Sequence, residues 1–283
     1  MKVFLSIFVA LQLLFIAGAQ QTSDTCGEVL TATDGGIIYK PFENVQPNER
    51  CVWVIRAPNA TGYSLDLVFM GYQNDSTETN VVATCLKNHL WTNTHGALNH
   101  TGTLDYNICN VVVITFYTSS NVSNSTGFIL RYTQVASTVL DPVSSASSDI
   151  FISEPLGNFP HGLNATDGVN PSHEISTFVF VPANNTRDAS KETNLVVINY
   201  GMLSIPNWPG QPTCHDYLEI SYFNISAPTQ EKYQLQKRFC RESILEFRNN
   251  DLILLNFRSA FETPFQGLQL VHTEREITSE CNN

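Results

Sequence analysis

Short runs of alternating or continuous apolar residues recur along the chain, separated by Asn, Gly, Ser and Pro. Val52–Ile55, Ser64–Phe69, Val111–Phe116 and Phe128–Tyr132 are rich in β-branched and aromatic residues, the composition of half-buried or fully buried strands. A second set follows at Thr177–Val181, Asn194–Tyr200, Asp216–Ser221, Leu252–Phe257 and Leu268–His272. Only Gln230–Cys240 has a pattern that admits a helical turn or two. So many short strands cannot hide their apolar faces in one open sheet. The pattern predicts an all-β protein of paired, facing antiparallel sheets.

The pattern also repeats. Ile114–Ser119 followed by Gly127–Leu130 is echoed by Leu255–Ala260 followed by Gly267–Leu270, at an offset of 141 between Phe116 and Phe257 and 140 between the two glycines. Cys51–Pro58 and Ser176–Pro182 share their alternation, with Trp53 and Phe178 expected to point into the cores and Ser176 standing where Cys51 does. Between the two sets lies a serine run with Pro142. Residues 134–149 are therefore read as a linker, or as a linker that carries the first edge strand of the next unit. Units at 26–133 and 150–272 are each expected to enclose an apolar interior of its own, with a polar tail at 273–283.

Composition changes the picture in three ways. Residues 1–19 begin with Lys2, continue through an apolar stretch and end at the small residues Ala17-Gly18-Ala19, as a cleaved secretory signal does; no later window suits a membrane span. Without that segment 14 Lys and Arg face 26 Asp and Glu, a net charge of −12. This balance disfavours a nucleic-acid phosphate backbone or an anionic lipid surface as partner. The expected protein is secreted, with no nucleic-acid partner and no stable membrane insertion.

The seven cysteines, Cys26, Cys51, Cys85, Cys109, Cys214, Cys240 and Cys281, all follow the signal, and none forms a CxxC. In an exported chain they imply disulfides rather than a zinc knuckle or a redox pair. An odd count leaves one free or joined to another molecule. Eight Asn-x-Ser/Thr acceptors, Asn59, Asn74, Asn99, Asn121, Asn124, Asn164, Asn184 and Asn224, suggest a glycosylated exterior.

Cys26-Gly27, Gly35–Phe42, Pro47–Ile55 and the closing Gly127–Tyr132 resemble the CUB domain, a secreted jelly-roll-like sandwich. In the second unit Cys214–Ile220, Phe239-Cys240, Asn250–Ser259 and Gly267–Leu270 are similar to it. The resemblance implies two tandem CUB or CUB-like domains, the second divergent. It implies the pairs Cys26–Cys51, Cys85–Cys109 and Cys214–Cys240, and leaves Cys281 as the odd thiol, available for a disulfide-linked dimer. Loops of about 25 residues closed in this way are each worth roughly 3 kcal/mol by chain entropy.

Many members of that family bind calcium through an early Glu and two Asp. Here the matching positions of the first unit look like Gln73 or Asn74, Asn88 and Ser119, too little negative charge for a hard cation. The second unit keeps Asp216 but has Ala260 at the late position, with Glu262 nearby as a weak substitute. No cofactor and no calcium are expected. His89, His95 and His100 fall within twelve residues, a spacing that can hold zinc or copper but reads as a polar loop; His161, His173, His215 and His272 are scattered and given no role. No Gly-x-Ser-x-Gly and no His-Glu-x-x-His occurs.

Trp208, between Asn207 and Pro209, is a candidate for a binding loop, joined by Phe261 and Phe265; the competing reading has it cap its own sandwich. The expected function is a non-catalytic binding or adaptor glycoprotein that recognises an extracellular protein or glycan through sandwich loops. The alternatives are a secreted hydrolase or accessory subunit of an extracellular protease, and a self-associating structural or venom- or seminal-type secretion.

Overall fold

The structure is a computed structural model that describes residues 21–71, 79–87, 94–98, 100–122, 124–136, 147–152, 157–161, 169–170, 174–182, 188–199, 217–228, 231–239, 243–258, 263–264 and 268–277. The described secondary structure is almost entirely β-strand. The first ten strands are β1 (Gln21–Ser23), β2 (Glu28–Leu30), β3 (Asp34–Asn44), β4 (Arg50–Ile55), β5 (Tyr63–Met70), β6 (Thr79–Leu86), β7 (Thr94–Leu98), β8 (Gly102–Tyr106), β9 (Val111–Thr118) and β10 (Thr126–Gln134). The second set is β11 (Ser148–Ile152), β12 (Gly157–His161), β13 (Val169–Asn170), β14 (Ile175–Val181), β15 (Lys191–Asn199), β16 (Tyr217–Phe223), β17 (Tyr233–Phe239), β18 (Ser243–Asn249), β19 (Ile253–Arg258), β20 (Thr263–Pro264) and β21 (Leu268–Glu276).

In the first unit a sheet ordered β1-β3-β10-β5-β8 faces one ordered β2-β4-β9-β6-β7. Tyr39, Trp53, Phe116 and Phe128 fill the space between them, with edge-to-face contacts of Trp53 on Tyr39 at 5.4 Å and on Phe128 at 5.6 Å. Such pairs add stability beyond their buried area. The one polar atom of the Trp53 ring is satisfied, since Nε1 donates to Ser23 Oγ at 3.1 Å and to the Thr25 carbonyl at 3.0 Å. Cys26–Cys51 and Cys85–Cys109 are closed, as the resemblance implied.

The second unit repeats this plan. One sheet is ordered β12-β21-β15-β18 and the other β11-β14-β19-β16-β17, so β11, β14, β19, β16 and β17 stand where β2, β4, β9, β6 and β7 stand in the first. The sequence echo is therefore a structural one: Cys51 lies opposite Phe116, and Ser176 opposite Phe257. Trp53 and Phe178 both point into their interiors, as expected. Gln230–Cys240 departs from expectation. Where helical turns were allowed, Tyr233–Phe239 is the edge strand β17, paired with β16. Its five middle residues are all exposed, so burial leaves no period-2 signature.

Two interiors were expected; three apolar layers are present. Val52, Val54, Val111 and Val113 on the outward side of the β2–β7 sheet pack against Val179, Val181, Leu252 and Leu254 on the outward side of the β11–β17 sheet. β4 touches its counterpart β14, and β2 touches β11. The two inner sheets are thus covered on both faces, and β4, β9, β14 and β19 are buried at every position. The outer strands β5, β15 and β21 alternate instead.

Polar groups pin both ends of this seam. Where β4 begins, the wholly buried Arg50 donates from Nε to Asp251 Oδ1 at 3.0 Å and from Nη1 to the carbonyls of Glu49 and Thr118 at 2.8 and 2.6 Å. At the opposite end of β9, Arg258 Nη1 donates to the Lys87 carbonyl and Nη2 lies 3.1 Å from Glu219 Oε2. Between them Tyr117 meets Phe223 edge-on at 5.3 Å, and the hydroxyls of Thr115 and Tyr233 share a hydrogen bond. A buried charge pair is costly to split, because the survivor stays desolvated. The seam therefore holds one relative placement of the two sandwiches.

Candidate functional site

A wide bulge in β3 builds the most distinctive outward feature of the first unit. Thr126 of β10 stands opposite Asn44, but Phe128 stands opposite Tyr39, so residues 40–43 of β3 loop out against Gly127 alone. Lys40 adopts the left-handed region with φ of 41° to make this turn. Gly127 permits it, since a Cβ there would lie 1.9 Å from the Tyr39 carbonyl oxygen.

The bulge is fastened from below. Buried Glu49 accepts from the Tyr39 hydroxyl, from Lys40 Nζ at 2.6 Å and from the Gln46 backbone N–H at 3.0 Å. Burial, and next the hydrogen bond to Glu49, push the Tyr39 phenol far above its ordinary range, so it remains a donor. At the tip Phe42 is 46% exposed, with its ring 5.4 Å from that of Phe69 on the outer side of the sheet. Phe69 lies opposite Ile129, and partly buried Met70 follows it. The result is an aromatic platform on a fastened bulge, beside exposed Glu43. Such a surface can stack on an apolar side chain or on the face of a sugar ring.

The platform was not foreseen. Pro41-Phe42 is visible in the sequence only as part of the family-like opening, and the Gly127–Tyr39 contact that makes the bulge joins residues far apart in the chain.

The residues proposed from sequence divide into two groups. Trp208, Phe261 and Phe265, the weak cation ligands Asp216 and Glu262, the pair Cys214–Cys240 and Cys281 lie outside the described residues, as do residues 1–19, His89, Asn74, Asn99, Asn164 and Asn184. Among the acceptors that are described, Asn59, Asn121 and Asn124 are exposed. Asn59 and Asn124 have φ of 57° and 55°. Asn224 is half-buried and accepts from the Ser226 N–H at 3.0 Å.

His95 does not serve a polar loop. It sits on β7 at the seam, its ring 6.2 Å from the stacked ring of Tyr233 and its Nδ1 2.9 Å from Thr84 Oγ1; burial lowers its pKa. His100 is exposed. Among the described residues no three His, Cys, Asp or Glu side chains come together as a metal site. Ser119, one of the positions matched to the family's calcium ligands, is a neutral side chain whose Oγ accepts from the Asn121 N–H at 3.1 Å.

In the second unit the position of the first disulfide is held by two serines. β2 pairs parallel with β4 through Glu28 opposite Trp53, and β11 pairs parallel with β14 through Asp149 opposite Phe178. Two residues earlier on each strand stand Cys26 and Cys51 in one unit, Ser147 and Ser176 in the other. Ser147 donates to Ser176 Oγ through its backbone N–H at 3.1 Å and its hydroxyl at 3.0 Å, and Ser176 Oγ donates to Glu174 Oε1 at 2.8 Å. A chain of hydrogen bonds replaces the covalent clamp.

No family model matches the chain, and no curated protein matches it. Solved structures do. The CUB1-EGF-CUB2 domain of human MASP-1/3 is 13% identical, covering 86% of this chain and 100% of that one, with a TM-score of 0.33. The corresponding domains of rat MASP-1 are 12% identical over 87% of this chain and 99% of that one, with a TM-score of 0.32. The full extracellular region of zebrafish Gpr126/Adgrg6 is 14% identical over 90% of this chain and 37% of that one, with a TM-score of 0.33. The two sandwiches are CUB-like. They share a strand order, and the first closes two disulfides. No helix among the described residues is long and apolar enough to cross a membrane.

Proposed function

We propose that this chain is a secreted, non-catalytic binding or adaptor glycoprotein that recognises an extracellular protein or glycan without calcium. The observation that carries the reading is the Phe42–Phe69 platform, in which exposed Phe42, on a strand bulge that Glu49, Lys40 and Gly127 fasten in place, lies against the half-buried Phe69 of β5. Two intramolecular disulfides support export to an oxidising compartment. The seam supports the adaptor part of the reading, because it presents the surfaces of both units in a fixed relation.

The test is capture of partners from extracellular fluid with the full glycosylated protein, in parallel with Phe42→Ala and Phe69→Ala proteins and with a chelator. Capture that either alanine weakens about tenfold or more, and that chelator leaves intact, is the expected result. Capture unchanged by both alanines overturns the platform, and capture abolished by chelator overturns the calcium-free reading.

A further inference from the structure

The four larger sheets have eight edge strands among the described residues, and seven of them are blunted. β1 and β2 have three residues each. β7 and β8 have five and contain Gly96 and Gly102, while β12 has five and contains Pro160. β11 has five and leans on β2 across the seam. β17 has seven, but its register with β16 shifts, and it displays Lys237 and Arg238. Short length, bulges and cations are the ordinary protections of an edge.

β18 is neither short nor bulged, and its one cation, Arg248, is paired with Glu246 of the same strand. It runs seven residues, Ser243–Asn249, without Gly or Pro and in unbroken register with β15, and its Ile244 is 72% exposed. Its counterpart in the first unit, β8, is the short Gly102-led strand. The Arg248 N–H donates to the Tyr222 hydroxyl at 3.1 Å and so points away from β15. By the alternation of an antiparallel ladder, the N–H groups of Glu246 and Ile244 point outward too.

We propose that β18 is the edge through which two copies of this chain associate, pairing antiparallel about a two-fold axis at Phe247. Charge selects this register. Glu246 and Arg248 lie on the solvent face as an ion pair at 2.7 Å, both substantially exposed. A dyad at Phe247 sets Glu246 of each copy opposite Arg248 of the other, closing a ring of four alternating charges; a dyad at Glu246 would oppose two carboxylates. Each Glu246 N–H meets the second copy's Arg248 carbonyl. Each Arg248 N–H exchanges the Tyr222 hydroxyl for the second copy's Glu246 carbonyl. Ile244 lies diagonal to the alkyl stem of the second copy's Arg248, which covers it. The contact is isologous and closed, forming a pair rather than a fibre. It does not depend on the ligand of the proposed binding role.

Sedimentation equilibrium on the full glycosylated Cys281→Ser protein tests it, that substitution removing any disulfide-linked dimer. The Cys281→Ser protein is expected to dimerise. Glu246→Arg and Arg248→Glu, each added to it, weaken the dimer about tenfold or more by opposing like charges twice. An equimolar mixture of the two variants restores it, because each supplies the charge the other lacks. Amide exchange at Ile244 and Glu246 in the unsubstituted edge slows as concentration rises, which reads the same contact without any edge substitution. A monomer at the highest soluble concentration, a dimer indifferent to both charge changes, or a mixture that fails to recover overturns the proposal.

Discussion

The same corner is built twice in this molecule from different chemistry. In the first unit Cys26 and Cys51 join β2 to β4 covalently; in the second Ser147 and Ser176 join β11 to β14 by hydrogen bonds that end on the buried carboxylate of Glu174. A disulfide acts largely on the unfolded chain by restricting it, whereas a hydrogen-bonded corner adds only what it gains over water. The second unit therefore leans more on what it shares with the first. That shared part is the seam, which makes the hydrogen-bonded unit dependent on its clamped neighbour.

Breaking the seam has the largest expected effect. Leu254 is wholly buried between the inner sheets, and Leu254→Asp places an unpaired carboxylate there. Destabilisation by about 4 kcal/mol or more is expected, with the second unit losing hydrogen-exchange protection before the first. Asp251→Ala leaves the Arg50 guanidinium buried without its carboxylate and is expected to cost about 3 kcal/mol. If both units melt unchanged in either variant, the seam is not what supports the second.

The corner comes next. Opening it with Cys26→Ser/Cys51→Ser is expected to cost about 3 kcal/mol, read as a lower denaturant midpoint. The reverse experiment sharpens the comparison. Ser147→Cys/Ser176→Cys sets two thiols where the hydroxyls already lie 3.0 Å apart, and the resulting disulfide is expected to stabilise the second unit by about 1–3 kcal/mol under oxidising conditions. A neutral or destabilising result would show that the two corners are alike only in register.

The strands, the repeat and the first two disulfides were legible because each is a local pattern: β-branched runs, a recurring offset, cysteines near a family-like tryptophan. The seam was written in the sequence too, in a form that alternation does not reveal. Residues 50–55 and 111–118, with 175–181 and 253–258, are largely apolar at odd and even positions alike, whereas 63–70 alternate. Continuous runs mark strands covered on both faces, and a lone sandwich covers only one. Ser176 is legible in the sequence as the counterpart of Cys51, but Ser147 is not legible as that of Cys26. Cys26 and Ser147 are 121 residues apart and Cys51 and Ser176 are 125 apart, so a single offset misses the pair. The Phe42 platform depends on a bulge fixed by a contact between Tyr39 and Gly127, and no local pattern encodes that.

The smallest expected effect is on acid stability, and it separates seam from interior. His272, given no role by the sequence, is 3% exposed against the stacked rings of Phe151 and Phe180, each 5.2 Å away, and its Nδ1 has no hydrogen-bond partner among the described residues. His95 occupies the seam against Tyr233. Burial lowers both pKa values, so the folded state favours neutral imidazole. An unfolded histidine takes up its proton near pH 6.5. The stability these neutral rings allow is therefore complete above that pH and declines as the pH falls toward the lower folded-state values, by up to about 1.4 kcal/mol per pH unit for each histidine. His272→Phe is expected to flatten the dependence seen by amide exchange in β14 and β21, and His95→Phe the dependence seen in β7 and β17. If either substitution flattens both regions equally, the acid response belongs to one cooperative body, and the seam is as much its core as the two interiors are.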